Sequence, residues 1–216
     1  MDRGNLLLVH GAWHGAWCWD RLVPELAAHG WTTSVLDLPS ASGSPAAGVR
    51  EDADAVREAL AALGGPVTVL AHSYAGVPVG QAAASADRLI YLAAHMLEPG
   101  ESVVSPLGGP WYEAGTKLLD VPEPARDLLF ADVPDDLASW AVARLRPQSA
   151  RSFEETVTAA AWQTVPTTAI VCADDVIFPP VFADRLRAHG ALELAGSHSP
   201  FLSRPAELAG LISSAG

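Results

Sequence analysis

Short apolar runs with no solvent-facing side recur along this chain: Leu6-Leu7-Leu8-Val9, Val67-Thr68-Val69-Leu70-Ala71 and Thr167-Thr168-Ala169-Ile170-Val171-Cys172. A strand with one wet face alternates apolar and polar residues. Runs without that alternation need cover on both faces, as strands of a parallel sheet have. Longer helical patterns separate them. The expected order is a strand over 5–10, a helix over 17–29, a strand over 31–37, a helix over 49–63, a strand over 66–71, a helix over 74–85 and a strand over 88–93. Gly30 closes the first helix, and Gly64-Gly65-Pro66 closes the second. This predicts an α/β fold with a mostly parallel sheet of about six strands and helices on both faces.

The pattern changes after Met96. Residues 98–163 carry frequent Pro and Gly and no strand pattern, with short helical stretches at 123–130, 135–144 and 149–162. A structureless loop of that length is uncommon in a compact domain, so an inserted helical cap is the expectation. Alternation resumes with a strand over 167–172, a helix over 179–189, a strand over 191–194 and a helix over 205–212. The expected domains are a core of 1–96 and 163–216 with a cap of 97–162.

Composition removes several function classes. Asp and Glu number 25 against 13 Lys and Arg, for a net charge of −12. Such a field repels phosphates, so no nucleic acid and no membrane surface is an expected partner. No window has 18 uninterrupted apolar residues, and Met1-Asp2-Arg3-Gly4-Asn5 leads into only four apolar residues. A cytoplasmic location is therefore expected. Cys18 and Cys172 show no ligand spacing and read as buried thiols; no metal and no cofactor is expected.

The chemistry concentrates where the apolar strand ends in Ala71-His72-Ser73-Tyr74-Ala75-Gly76. A strand, one serine and an immediate helix form the context of a nucleophile elbow, which lifts a hydroxyl above the C-terminal edge of a sheet. The usual glycines flanking such a serine are here Ala71 and Ala75. A serine needs a base within reach, and the base needs an acid to orient it, in the chain order Ser, acid, His. Asp174-Asp175 follows the strand ending at Cys172, and His198 follows the last strand, so all three groups fall at C-terminal strand ends. Gly11 and Ala12 follow the first strand. The backbone amides there and at Tyr74 can serve as an oxyanion hole, aided by the helix dipole. His10 and His72 read as structural residues that hydrogen-bond the local backbone.

With these residues the chain resembles an α/β-hydrolase of the plant methylesterase and hydroxynitrile lyase type, with its bacterial esterase relatives. The resemblance rests on Leu8-Val9-His10-Gly11-Ala12-Trp13-His14-Gly15-Ala16-Trp17-Cys18-Trp19, Val35-Leu36-Asp37-Leu38-Pro39, the Ser73 elbow, Asp174-Asp175-Val176-Ile177-Phe178 and Gly196-Ser197-His198-Ser199-Pro200-Phe201. It implies Ser73 as nucleophile, His198 as base and Asp175 as acid, because the family's acid lies three residues before the phenylalanine. It also implies the Ala12 and Tyr74 amides as oxyanion donors. The family's lyases carry threonine where this chain has Gly11 and lysine where it has Ser199. Both positions therefore look like the esterase branch, and Gly11 is expected to leave open space beside the oxyanion hole.

The expected reaction is metal-free hydrolysis of a small, largely apolar or aromatic ester through an acyl-enzyme. The rivals are a lyase or cyclase on the same Ser/His machinery, and a weakly catalytic binding protein. The expected partner is a small-molecule substrate, with a homodimer as the one protein assembly considered. Beside Gly11, the expected substrate contacts are His14, Trp111, Phe130, Trp140 and Trp162. Trp13, Trp17, Trp19 and Trp31 are expected to pack in the core. The cap offers no arginine cluster for a carboxylate or phosphate.

Overall fold

The computed structural model describes residues 3–214. Six parallel strands form one sheet: β1 (Asn5–Val9), β2 (Thr32–Leu36), β3 (Val67–His72), β4 (Arg88–Leu92) and, further along, β7 (Thr167–Cys172) and β8 (Leu192–Leu194). Their order across the sheet is β2-β1-β3-β4-β7-β8. The central strand β3 is buried at every residue and pairs in register with β1 and β4. This accounts for its continuous apolar run.

Helices α1 (Leu22–Ala28), α2 (Val49–Ala62) and α3 (Gly76–Ala82) connect the first four strands, and α7 (Pro180–Ala188) links the last two. In α2 the residues Val49, Ala53, Val56 and Leu60 are buried, at the three-to-four spacing of one helix face. The chain ends in α8 (Pro200–Ser203) and α9 (Pro205–Ser214). The expected helix over 17–29 is split. Residues Ala16–Trp19 form a 3₁₀ turn, and the α-helix starts only at Leu22. Cys18, Trp19, Trp31 and Cys172 are buried, as expected.

The segment between β4 and β7 adds no strand to the main sheet. It contains α4 (Ala125–Leu129), α5 (Asp135–Val142) and α6 (Arg151–Glu154). Two expectations fail here. First, the segment does contain strands: β5 (Leu118–Leu119) and β6 (Gln148–Ser149) form an antiparallel ladder. Second, no helix runs through 149–162. After Glu154 the backbone becomes extended, and Val157 exchanges hydrogen bonds with the 100–101 turn: Val157 N–H to Glu101 O and Gly100 N–H to Val157 O, both 2.8 Å.

Candidate active site

Ser73 sits where β3 meets the helix, in a left-handed backbone conformation with φ +54°. That geometry is costly for a residue with a Cβ and is held only by its surroundings. Ser73–Ala75 forms a 3₁₀ turn, and α3 begins at Gly76. The glycine requirement of the turn falls at position 76, where a Cβ would overlap the His95 backbone. Ala71 and Ala75 are fully buried, so the elbow accommodates a methyl at both usual glycine positions.

His198 and Asp175 meet beyond the ends of β8 and β7. The His198 Nδ1–H donates to Asp175 Oδ2 at 2.7 Å, with both side chains buried. The other carboxylate oxygen accepts the amides of Ile177 and Phe178 at 3.1 and 3.0 Å. Burial alone would raise the Asp175 carboxyl. The adjacent imidazole and these amides outweigh burial and hold it below the ordinary carboxylate value. Asp174 points elsewhere and accepts the Gly196 amide at 3.2 Å. His198 and Ser73 line the same cavity. Among the described residues the Ser73 hydroxyl has no hydrogen-bond partner, and Ser–His contacts of this kind often tighten only around substrate.

The loop after β1 presents its peptides in a fixed orientation. The Gly11 carbonyl accepts the His10 Nδ1–H at 2.8 Å. In a trans peptide the N–H points the opposite way. The Ala12 N–H is therefore directed away from His10, and Ala12 lines the cavity. The Ala12 carbonyl is held in turn by His14 Nδ1–H at 2.8 Å. The Tyr74 amide lies in the first turn after Ser73, where helix N–H groups lack internal acceptors.

Three neutral imidazoles surround this arrangement. Burial lowers His14 to about 3 and His95 to about 4, and it pushes His72 well below its ordinary value. His72 Nε2–H donates to the His198 carbonyl at 2.9 Å, which ties the elbow to the loop bearing the imidazole.

The cavity has a volume of about 630 Å³. Of the expected substrate contacts, Trp111 lines it. His14, Phe130, Trp140 and Trp162 do not. His14 and Phe130 are buried, with ring centroids 5.6 Å apart. Trp140 packs edge-on against Trp17 at 5.3 Å, and Arg144 covers its ring at 4.1 Å. The Trp162 indole N–H donates to Leu97 O at 3.0 Å. Gly11 also departs from expectation: a Cβ there would lie 2.8 Å from Ser73 Cβ and 2.9 Å from His72 Nδ1. The glycine allows close packing of loop against elbow and leaves no open space.

Sequence reasoning missed other parts of the wall. Trp13, assigned to the core, lines the cavity with Tyr112, Leu119, Phe153 and His95. The indole N–H of Trp13 donates to Leu119 O at 3.2 Å, which sets its ring against β5. Ser199 is buried and not part of the wall.

A serine on a strained elbow and a His–Asp pair at the C-terminal edge of a parallel sheet define the serine-hydrolase class of α/β proteins. The chain belongs to the alpha/beta hydrolase family, which it matches over residues 6–211. It is 27% identical to the alpha/beta hydrolase nvfD of Aspergillus novofumigatus, over 95% of this chain and 93% of that protein. Methylesterase 18 of Arabidopsis thaliana is 25% identical over 96% and 95% of the two chains. Among solved structures, the Arabidopsis methylesterase MES16 superposes with TM-score 0.79 at 26% identity, covering 98% of each chain.

Proposed function

We propose that the chain, an α/β-hydrolase of the carboxylesterase type, cleaves a small, largely apolar or aromatic ester through an acyl-enzyme at Ser73. The Ser73 hydroxyl attacks the ester carbonyl while His198 takes its proton. Asp175 holds the imidazole in the tautomer that leaves its far nitrogen free to accept. The carbonyl oxygen becomes an oxyanion under the amides of Ala12 and Tyr74. Collapse expels the alcohol, which receives the proton from His198. A water molecule, deprotonated by the same imidazole, then releases the acid and restores Ser73.

The observation that carries this reading is the buried His198–Asp175 pair, at 2.7 Å, opening with Ser73 onto one cavity. The substrate class follows from the wall. Trp13, Trp111, Tyr112, Leu119 and Phe153 suit an apolar or aromatic group, and Asp120 is its one formally charged carboxylate apart from the site itself. Among the described residues no Lys or Arg lines it, so a free carboxylate on the substrate would find no counter-charge. Methylesterase relatives make aromatic methyl esters the first class to assay. Segment 97–162 acts in this reading as the cap that closes the cavity over the serine.

The same wall disfavours cyanohydrin cleavage, since a departing cyanide would find no cation. The test assays hydrolysis of nitrophenyl and aromatic methyl esters beside cyanide release from mandelonitrile. Ester hydrolysis that vanishes in Ser73→Ala is expected. Cyanide release dependent on Ser73, without ester hydrolysis, would overturn the reading.

A further inference from the structure

We propose that Gln148 is a positioning residue, the hub of a buried polar network that holds both oxyanion amides at their working separation. The proposal rests on reading Ala12 and Tyr74 as the oxyanion donors. It assigns a catalytic consequence to Gln148, Ser40, Asp52 and Ser152, which lie outside the cavity lining.

The network can be followed atom by atom. Gln148 Oε1 accepts the backbone N–H of Trp13 at 3.3 Å. Its Nε2 donates to Ser40 Oγ at 2.7 Å and to Ser152 Oγ at 2.8 Å. Ser40 Oγ donates to Asp52 Oδ2 at 2.5 Å, and the Ser40 amide donates to Asp52 Oδ1 at 2.9 Å. The same Asp52 Oδ2 accepts the Tyr74 hydroxyl at 2.7 Å. Gln148, Ser152, Ser40, Asp52 and Tyr74 are all buried. Both N–H groups and the oxygen of the Gln148 amide are used. A flipped amide would set NH₂ against the Trp13 N–H, so its orientation is fixed.

The two ends of this path are the residues that control the donors. Trp13 directly follows Ala12 and adopts φ +62°, a conformation that a bulky side chain rarely takes. Both of its backbone polar groups are held by the same strand region: its N–H by Gln148, and its carbonyl by the Arg146 amide at 2.8 Å. At the other end, the Tyr74 side chain runs down to Asp52 on α2 while its own amide stays beside Ser73. Residues 11–14 and the elbow extend from the neighbouring strands β1 and β3, and Gly11 packs against Ser73, which brings the two loops together; the orientation of the Ala12–Trp13 segment within that contact is held by Gln148. A fully satisfied buried network can fix that orientation, because a break at any link leaves an unpaired polar group in the interior. Stabilising an oxyanion depends steeply on donor placement, since donors must meet the position the charge will occupy.

The experiment compares Gln148→Met, Tyr74→Phe and the double variant with the wild-type protein on p-nitrophenyl butyrate. Ser73→Ala is the reference for complete loss. None of the three removes a donor amide. Affinity for an alkyl trifluoromethyl ketone, which forms a tetrahedral oxyanion on the serine, is measured in parallel. Gln148→Met should lower kcat on the order of 10- to 100-fold while KM changes by less than about 3-fold. Trifluoromethyl ketone affinity should fall by a similar factor. A purely structural residue would not shift both oxyanion readouts together at unchanged KM. Tyr74→Phe should act in the same direction. The double variant should lose little beyond Gln148→Met alone, because both cut one network.

Wild-type kcat and inhibitor affinity in Gln148→Met, or losses that multiply in the double variant, would overturn the proposal. If Gln148→Met does not fold, Tyr74→Phe decides alone, and unchanged kcat and inhibitor affinity there overturn it. Hydrolysis surviving in Ser73→Ala would instead refute the active-site reading on which the proposal stands.

Discussion

Replacing Asp175 by asparagine tests the relay at its most constrained contact. One carboxylate oxygen accepts the Ile177 and Phe178 amides and the other accepts His198 Nδ1–H. An asparagine keeps its oxygen on the two amides, which leaves its NH₂ group facing the imidazole. Nδ1 must then accept instead of donate, so the proton moves to the far ring nitrogen. That nitrogen can no longer take the Ser73 proton. The equivalent tautomer error in serine proteases costs about 10⁴ in kcat, or about 5.4 kcal/mol of barrier. Asp174→Asn keeps an oxygen for the Gly196 amide, so its kcat should stay within about 3-fold of wild type. Initial rates on p-nitrophenyl butyrate, with a thermal melt of each variant, provide the comparison. Asp175→Asn that folds and keeps a tenth of wild-type kcat would refute the assignment, as would a larger loss in Asp174→Asn.

Exposure separates two aromatic residues. Trp111, 58% exposed at the cavity wall, should give a Trp111→Ala variant with unchanged Tm and a KM for aromatic esters raised several-fold. Phe130→Ala should lose about 3–5 kcal/mol of stability in a denaturant titration, because that ring is fully buried. The buried imidazoles predict acid sensitivity. Burial lowers His14 to about 3 and His95 to about 4, so below about pH 6.5 the unfolded chain binds protons that the folded chain refuses. Stability must therefore fall with pH, by up to about 1.4 kcal/mol per pH unit per histidine. A Tm that does not drop between pH 7 and 5 would contradict this, and His95→Phe should flatten the slope. Gly11→Thr should lose esterase activity, since its Cβ would fall 2.8 Å from Ser73 Cβ. Wild-type turnover in that variant would refute the close-packing argument.

The inner strands of the main sheet are readable in the sequence because they are covered on both faces, whereas the edge strands β2 and β8 are partly exposed. β1, β3 and β7 stand out as apolar runs, and the positions just after them carry the candidate site. The adjacent aspartates Asp174 and Asp175 could be distinguished only by resemblance; the structure separates them by where each side chain reaches. The segment between β4 and β7 was less legible. Its ladder is two residues long on each side, too short for a period to register. The expected helix over 149–162 breaks because backbone groups near Val157 pair with residues distant in sequence. The sequence places Trp13 in the core, because tryptophans more often pack there than touch a ligand. Its φ of +62° and its bonds to Leu119, Arg146 and Gln148 turn the ring onto the cavity. Those are tertiary constraints with no local signature.

The central claim, an acyl-enzyme at Ser73, is most directly tested by intact-mass spectrometry of the protein after brief exposure to an alkyl fluorophosphonate. Peptide mapping should place a single adduct on Ser73, with ester hydrolysis lost in step with labelling. Labelling should be abolished in Ser73→Ala and strongly slowed in Asp175→Asn. An adduct on another residue, or undiminished ester hydrolysis in Ser73→Ala, would contradict the account.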